Sequence, residues 1–185
     1  MTKISYGMAA ILVASLALVG DSAVSTQDRY SLKVPGGLAF SEIRGYEDWQ
    51  TIAVSETAGN VKAILGNPTM IRAYREGIPD NGKPFPDGSK TVKISWIKKK
   101  NPVSPYPVNV PGALHDVSFM VKDSKRFADS AGWGWAVFKY DAASHTFRPG
   151  NTADKPPQGN DAKCGLACHT IVKSRDYVFT DYGHR

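Results

Sequence analysis

Two cysteines and a histidine lie together near the C-terminus, in the segment Lys163-Cys164-Gly165-Leu166-Ala167-Cys168-His169. The 185-residue chain contains no other cysteine. A c-type haem is attached through two thioether bonds in a Cys-x-x-Cys-His motif, and the histidine after the second cysteine binds the iron. Here three residues separate the cysteines instead of two. The segment predicts covalent haem attachment at Cys164 and Cys168, with His169 as the axial ligand of the iron.

Three other interpretations of the cysteines remain open. A local disulfide can form across one helical turn, although such a short loop is strained. A structural zinc ion needs four nitrogen or sulfur ligands. Only the histidines are available to complete such a set: His115, His145, His169 and His184. Unpaired thiols are disfavoured in an exported chain. The histidine directly after the second cysteine favours haem, because neither a disulfide nor a zinc site requires it there.

Residues 1–25 have the pattern of a secretory signal peptide. Lys3 precedes an apolar run from Met8 to Val19, which is too short for a confident membrane span. Gly20-Asp21 closes the run, which disfavours the alternative of an uncleaved anchor. The small residues of Ala23-Val24-Ser25 predict cleavage after the serine, export to the periplasm and no membrane attachment afterwards.

The remaining residues, 26–185, suffice for one domain with a hydrophobic core. The formal net charge of the chain is +6, and its basic residues are scattered except for Lys98-Lys99-Lys100. This triplet is either a docking patch for an acidic electron-transfer partner or a solvated loop. The sequence shows no basic stripe interleaved with aromatic residues, which argues against nucleic-acid binding.

Alternating apolar and polar residues predict a strand-rich domain. In the segment Lys90 to Lys98, the apolar positions 92, 94 and 96 point to one side and Lys93 points to the other. Further strands are expected at Val61–Leu65, Met70–Tyr74, His115–Lys122 and Trp133–Tyr140. Helices are expected at Glu42–Thr57 and Thr170–Tyr182, and a short helix or turn at Lys125–Ser130. Irregular connections are expected at Gly77–Gly88, Asn101–Gly112 and Thr146–Asp161.

A sixth ligand for the iron is hard to find in the sequence. Outside the signal peptide the methionines are Met70 and Met120, which both fall in predicted strands and are better explained as core residues. A five-coordinate iron with an open distal face is therefore predicted. An open face binds or transforms small ligands, whereas a closed one only passes electrons.

Several segments together resemble the cytochrome P-460 family over about Tyr46 to Tyr182. The residues that carry the resemblance are Tyr46 and Trp49, Met70-Ile71-Arg72, Phe85-Pro86-Asp87-Gly88, Thr91-Val92-Lys93, Val121 to Ala128, Trp133-Gly134-Trp135-Ala136, and Cys168-His169 followed by Asp176 to Thr180. The sequence departs from the family at Gly165-Leu166-Ala167, where many members have two residues. The segment Ser95 to Ala113 also differs in length and composition.

The resemblance implies an α+β fold, mostly an antiparallel β-sheet with flanking helices. It implies a c-type haem on one sheet face, His169 as its proximal ligand, and a homodimer. In catalytic members a lysine is joined covalently to the haem ring, and the matching residue is Lys93. Those members oxidise hydroxylamine, with nitric oxide chemistry that yields nitrous oxide or nitrite, and pass electrons to a periplasmic acceptor. Related beta-fold cytochromes c′, which lack the lysine bond, instead imply a nitric oxide or gas binder or an electron-transfer protein.

Three side chains are candidates for roles around the iron. A buried Lys93 amine is costly unless it is paired or reacted, although a solvated strand face needs no such explanation. Arg72 matches a distal arginine of the family, where a guanidinium can hydrogen-bond a nitrogen oxide. Alternatively, it is a surface arginine paired with Glu76. His115 is either a proton acceptor near the pocket or a histidine hydrogen-bonded to Asp116.

Overall fold

The computed structural model describes residues 27–34, 37–150 and 165–184. Within these residues, six strands form one sheet in which each strand pairs antiparallel with the next. The strands are β1 (Gln50–Glu56), β2 (Asn60–Gly66), β3 (Lys90–Lys100), β4 (Asn109–Lys122), β5 (Trp133–Asp141) and β6 (Thr146–Pro149). The predicted α+β fold with a mostly antiparallel sheet is confirmed.

The helical elements are short. The α-helix α1 spans Pro68–Arg75, and residues 165–169 form a further helical segment, called here the motif helix. Turns of 3-10 helix complete the described part: Arg29–Ser31, Phe40–Ile43, Tyr46–Asp48, Ala128–Ser130 and Thr170–Arg175. No helix of the described residues is long and apolar enough to cross a membrane.

Side chains alternate between the two faces of the sheet. One face, called the inner face, carries Val92, Val117, Phe119 and Phe138, which are fully or almost fully buried. The N-terminal 3-10 turns cover this face, with the ring of Phe40 centred 5.1 Å from that of Phe138. The alternation predicted around Lys93 is confirmed, because Val92 packs into this core while Lys93 projects from the opposite face.

The opposite face, called the site face, is covered along only part of its area. There α1 and the C-terminal segment pack on the sheet through Met70, Tyr74 and Val178, against Met120 and Trp133. The two methionines lie in this core, as predicted, with exposures of 0% and 7%. The uncovered remainder of the site face forms a cavity.

The prediction of a strand at Met70–Tyr74 is wrong, because this segment is the helix α1. Asn67 caps the helix: its side-chain Oδ1 accepts a hydrogen bond from the Met70 amide at 3.0 Å. Pro68 follows in the first turn, where its missing N–H leaves no intrahelical bond unmade. The Asn-Pro pair is thus a helix start and not a turn between strands.

The predicted helix Glu42–Thr57 is also wrong. The segment forms two 3-10 turns separated by Gly45, whose φ of 78° lies in the left-handed region, and then β1. The predicted C-terminal helix Thr170–Tyr182 stops as 3-10 helix at Arg175, because Asp176 and Tyr177 both adopt left-handed backbone conformations, with φ of 48° and 64°.

The other predicted strands are confirmed within β2, β3, β4 and β5. Two predicted connections are shorter than expected, since β4 already begins at Asn109 and β6 occupies Thr146–Pro149. The proposed signal peptide and Cys164 lie outside the described residues.

Candidate haem site on the sheet

A cavity of about 680 Å³ lies between the site face and the C-terminal segment. Pockets for cofactors usually measure roughly 300–1000 Å³. The sheet contributes residues of β1 to β5, among them Lys93, Ser118 and Trp135. The opposite wall includes Cys168 and His169. The cavity therefore brings together Lys93, Cys168 and His169, three residues predicted from sequence to serve one site.

Lys93 projects into this cavity from the middle of β3. Its strand neighbours are Ile64 on β2 and Ser118 on β4. The side chain of Lys93 is solvent-exposed in the open cavity. Partial desolvation by the surrounding protein nevertheless lowers the pKa of its ammonium, and the positive charges of Lys62 and Lys139 act in the same direction. The carboxylate of Asp116 opposes them. A lowered pKa increases the fraction of neutral amine, which is the nucleophilic form of lysine.

His169 is held by its backbone surroundings. Its Nδ1 lies 2.6 Å from the Tyr177 carbonyl oxygen. Because a carbonyl only accepts, Nδ1 carries the proton and donates it, and Nε2 of the neutral ring keeps its lone pair. This is the usual arrangement of a histidine that binds a metal through Nε2.

The surroundings of His169 also keep its imidazole neutral. Burial lowers the pKa of His169, and the charge of Lys93 does so as well, while the hydrogen bond to Tyr177 acts the other way. The ring lies between aromatic neighbours, with centroids 4.8 Å from Phe179 and 5.9 Å from Trp135. A neutral, fixed imidazole is the state that can bind a metal.

Cys168 precedes the histidine in the motif helix and is exposed. The motif helix packs closely on β5 through Gly165: a β-carbon there would lie 2.5 Å from Cγ of Trp135. Only glycine allows this approach. Because Cys164 lies outside the described residues, its distance from Cys168 and the choice between thioether and disulfide stay untested.

A model of the cytochrome P460 family matches residues 43–180. The chain belongs to the cytochrome P460 family. A search of curated proteins finds no match. Membership confirms the resemblance inferred from the sequence and implies that the protein binds haem.

The residues around the cavity fit a haem. An imidazole that is protonated at Nδ1, the cysteine Cys168 and a largely apolar wall face the same space. In the described ranges 27–34, 37–150 and 165–184, no three His, Cys, Asp or Glu residues lie close enough together to hold a metal ion by themselves. A haem iron takes four ligands from its macrocycle, so one imidazole is enough to attach it to the protein.

A polar cluster missed by sequence reasoning lies beside Lys93. Ser118 Oγ donates to Asp116 Oδ1 at 3.0 Å, and His115 Nδ1 donates to Asp116 Oδ2 at 2.6 Å. Burial works to raise the pKa of Asp116, but the hydrogen bonds from His115 and Ser118 and the charge of Lys139 hold it below its usual value. The sequence indicated the hydrogen bond between His115 and Asp116. The role of Ser118 depends on the pairing of β3 with β4.

Arg72 does not join this site. It lies exposed on α1, where its Nη2 donates to Thr69 Oγ1 at 3.2 Å. It lines a separate cavity of about 430 Å³ together with Trp49, Gln50 and Arg75. The family resemblance placed it beside the iron, whereas Arg72 is not among the described residues that line the cavity of Lys93 and His169.

Proposed function

We propose that this protein is an exported, periplasmic c-type haem enzyme that oxidises hydroxylamine. The observation that carries the proposal is that Lys93, Cys168 and His169 line one cavity. Family membership supports the haem, and the position of Lys93 supports the catalytic branch of the family over the gas-binding branch. A bound haem would supply the redox chemistry for oxidising a small nitrogen ligand, and the residues of this chain would hold and orient it.

Cys164 and Cys168 attach the cofactor in this proposal. Each thiol S–H adds across a vinyl group and forms a thioether bond, so no hydrogen is lost. His169 Nε2 serves as the proximal ligand, with its orientation fixed by the bond from Nδ1 to the Tyr177 carbonyl. The exposed Cys168 is accessible for this attachment, and the lowered pKa of His169 favours the neutral imidazole that can bind a metal.

Lys93 provides the third covalent bond in this proposal. A C–N bond between its Nζ and a ring carbon replaces one N–H and one C–H bond, and releases two protons and two electrons. The cross-link therefore requires an oxidant such as a peroxide. The lowered pKa of Lys93 favours the neutral amine that this bond needs.

Ser118 and Asp116 provide a route for protons in this proposal. Oxidation of hydroxylamine releases protons along with electrons. Ser118 lies in the cavity wall and already donates to Asp116 Oδ1, so it can accept a proton from the substrate while it gives its own to the carboxylate. His115 holds the other carboxylate oxygen, and its side chain is 42% exposed to solvent.

Electrons leave to a periplasmic acceptor in this proposal. The exposed Lys99 and Lys100 at the end of β3 favour an acceptor with an acidic surface.

The homodimer also stays a prediction. Sedimentation velocity of the haem-loaded protein checks it.

The proposal is tested by replacing the cross-linking amine. Lys93→Arg keeps the charge but cannot form the bond, and Lys99→Arg is the matched control on the same strand. We expect Lys93→Arg to keep its haem, to show an ordinary c-type optical spectrum, and to oxidise hydroxylamine more slowly by on the order of tenfold or more, about 1.4 kcal/mol in activation free energy. Equal rates for the two variants contradict the proposal. A wild-type protein that binds nitric oxide but neither oxidises hydroxylamine nor carries a lysine bond belongs to the gas-binding branch.

A further inference from the structure

We propose that the buried ion pair between Lys122 and Asp176 is a positioning device for His169. The pair fixes the backbone that presents the Tyr177 carbonyl to His169 Nδ1, and so sets the electron density on the iron ligand. This inference rests on the proposed role of His169 as the proximal ligand. Neither charged residue lines the cavity.

The side chain of Asp176 is held from two directions. Lys122 Nζ lies 2.8 Å from Oδ1 and 3.0 Å from Oδ2, and the Phe85 amide donates to Oδ2 at 2.8 Å. Both charged side chains are nearly buried, with exposures of 7% for Lys122 and 11% for Asp176. A carboxylate with three such bonds cannot shift without leaving a buried charge unpaired.

Lys122 is itself fixed in place. Its Nζ also donates to the Ala131 carbonyl at 3.1 Å and lies 4.9 Å from the centre of the Trp133 ring. The indole Nε1 of Trp133 in turn donates to the backbone carbonyl of Asp176 at 2.9 Å. The end of β4 and the start of β5 thus hold both the side chain and the backbone of Asp176.

The backbone held in this way is an unusual one. Asp176 and Tyr177 are consecutive left-handed residues, and neither is glycine. Such conformations are unfavourable for residues with a β-carbon and persist where surrounding contacts enforce them. Their consequence is that the Tyr177 carbonyl meets His169 Nδ1 at 2.6 Å. The ion pair is therefore one residue away from the acceptor that orients the iron ligand.

Net stabilisation does not explain the pair well. Buried ion pairs contribute little beyond what apolar residues of the same shape would, since desolvation offsets the attraction. In some proteins a buried ion pair instead fixes one geometry among several. Here that geometry governs the hydrogen bond at His169 Nδ1, and such bonds raise the basicity of a metal-binding imidazole.

The test compares Asp176→Asn with Asp181→Asn in the full, haem-loaded protein. Asparagine tolerates the left-handed conformation, so the first variant removes the charge pair without demanding a new backbone. Asp181 is a matched control, because it is an exposed carboxylate of the same segment that pairs with Arg175. The readouts are covalent haem by mass, the midpoint potential, and the optical spectrum of the ferric form.

We expect Asp176→Asn to retain its haem and to shift the potential upward, because a weaker Nδ1–H bond favours the ferrous state. At a fixed applied potential the ferrous-to-ferric ratio should rise on the order of threefold to tenfold, as expected for one weakened hydrogen bond. Asp181→Asn should match the wild type. If Asp176→Asn retains haem with the potential and spectrum of Asp181→Asn, the inference is wrong.

Two further variants distinguish an incorrect inference from a variant that does not fold and from an incorrect proposed function. If Asp176→Asn does not fold, the double variant Lys122→Met with Asp176→Asn leaves no unpaired buried charge, and the same potential shift is expected of it. An unshifted double variant also overturns the inference. A His169→Ala variant with the wild-type potential and spectrum instead overturns the proposed ligand, and with it the proposed function.

Discussion

Trp135 and Gly165 are packed so closely that the indole occupies the space of a β-carbon. The added atom at Gly165 would lie 2.5 Å from Cγ and 2.8 Å from Cδ1 of Trp135. The contact seats the motif helix, and therefore Cys168 and His169, on β5. The same indole faces the His169 ring, with centroids 5.9 Å apart.

Gly165→Ala should destabilise the protein, although alanine normally favours a helix over glycine by about 1 kcal/mol. We expect a loss of about 1–3 kcal/mol in the free energy of unfolding, as for other overpacked contacts, measured by urea titration. Gly59→Ala is the control, because a β-carbon there meets no atom within 4 Å. In a Trp135→Leu background the Gly165→Ala change should cost much less. An equal loss in both backgrounds would refute the packing explanation.

Ser118→Ala should slow hydroxylamine oxidation, because it removes the hydroxyl that links the cavity to Asp116. We expect kcat to fall by roughly tenfold or more, with little change in KM, as for loss of a proton-transfer group. Ser55→Ala, which alters another serine of the cavity wall on β1, should have a smaller effect. Steady-state kinetics of the two variants measure this difference in kcat. Equal kcat values would exclude the proton route through Ser118.

Asp87 ties the loop before β3 to the turn after β4. Ser124 donates to it through its hydroxyl at 2.7 Å and through its amide at 2.8 Å, and these bonds lower the pKa of Asp87. The folded state therefore favours the carboxylate. The resulting stability is present above the unfolded pKa of about 3.9 and is lost as the pH falls through the lower folded pKa.

Asp87→Asn should therefore be less stable than the wild type at neutral pH, and the difference should shrink below about pH 4. Urea titrations of both proteins at several pH values measure it. A difference in unfolding free energy that does not change with pH would contradict the assignment.

The sequence predicts the sheet well where its pattern is local. Alternation along β3 is enough to predict that Lys93 and Val92 lie on opposite faces of the sheet. Val92 then packs in the core of the inner face, and Lys93 faces the cavity. The cysteine and histidine spacing is enough to nominate Cys168 and His169. Family motifs then assign these separate segments to one site, and Lys93, Cys168 and His169 line one cavity.

The remaining features depend on contacts between distant segments. The Asn67-Pro68 pair is compatible both with a turn between strands and with the start of a helix. Packing of Met70 and Ile71 against the sheet favours the helix. The C-terminal helix ends before Asp176, whose side chain forms an ion pair with Lys122, fifty-four positions away. No local pattern reports such a contact.

The mass of the intact chain under denaturing conditions tests the central claim most directly. The protein is matured in a host that attaches c-type haem, and any non-covalent cofactor is lost on denaturation. Covalent attachment predicts the mass of the processed chain plus one haem, and the loss of that addition when both Cys164 and Cys168 are replaced by serine. A wild-type mass equal to the bare chain less two hydrogens, as for a disulfide between Cys164 and Cys168, would contradict it.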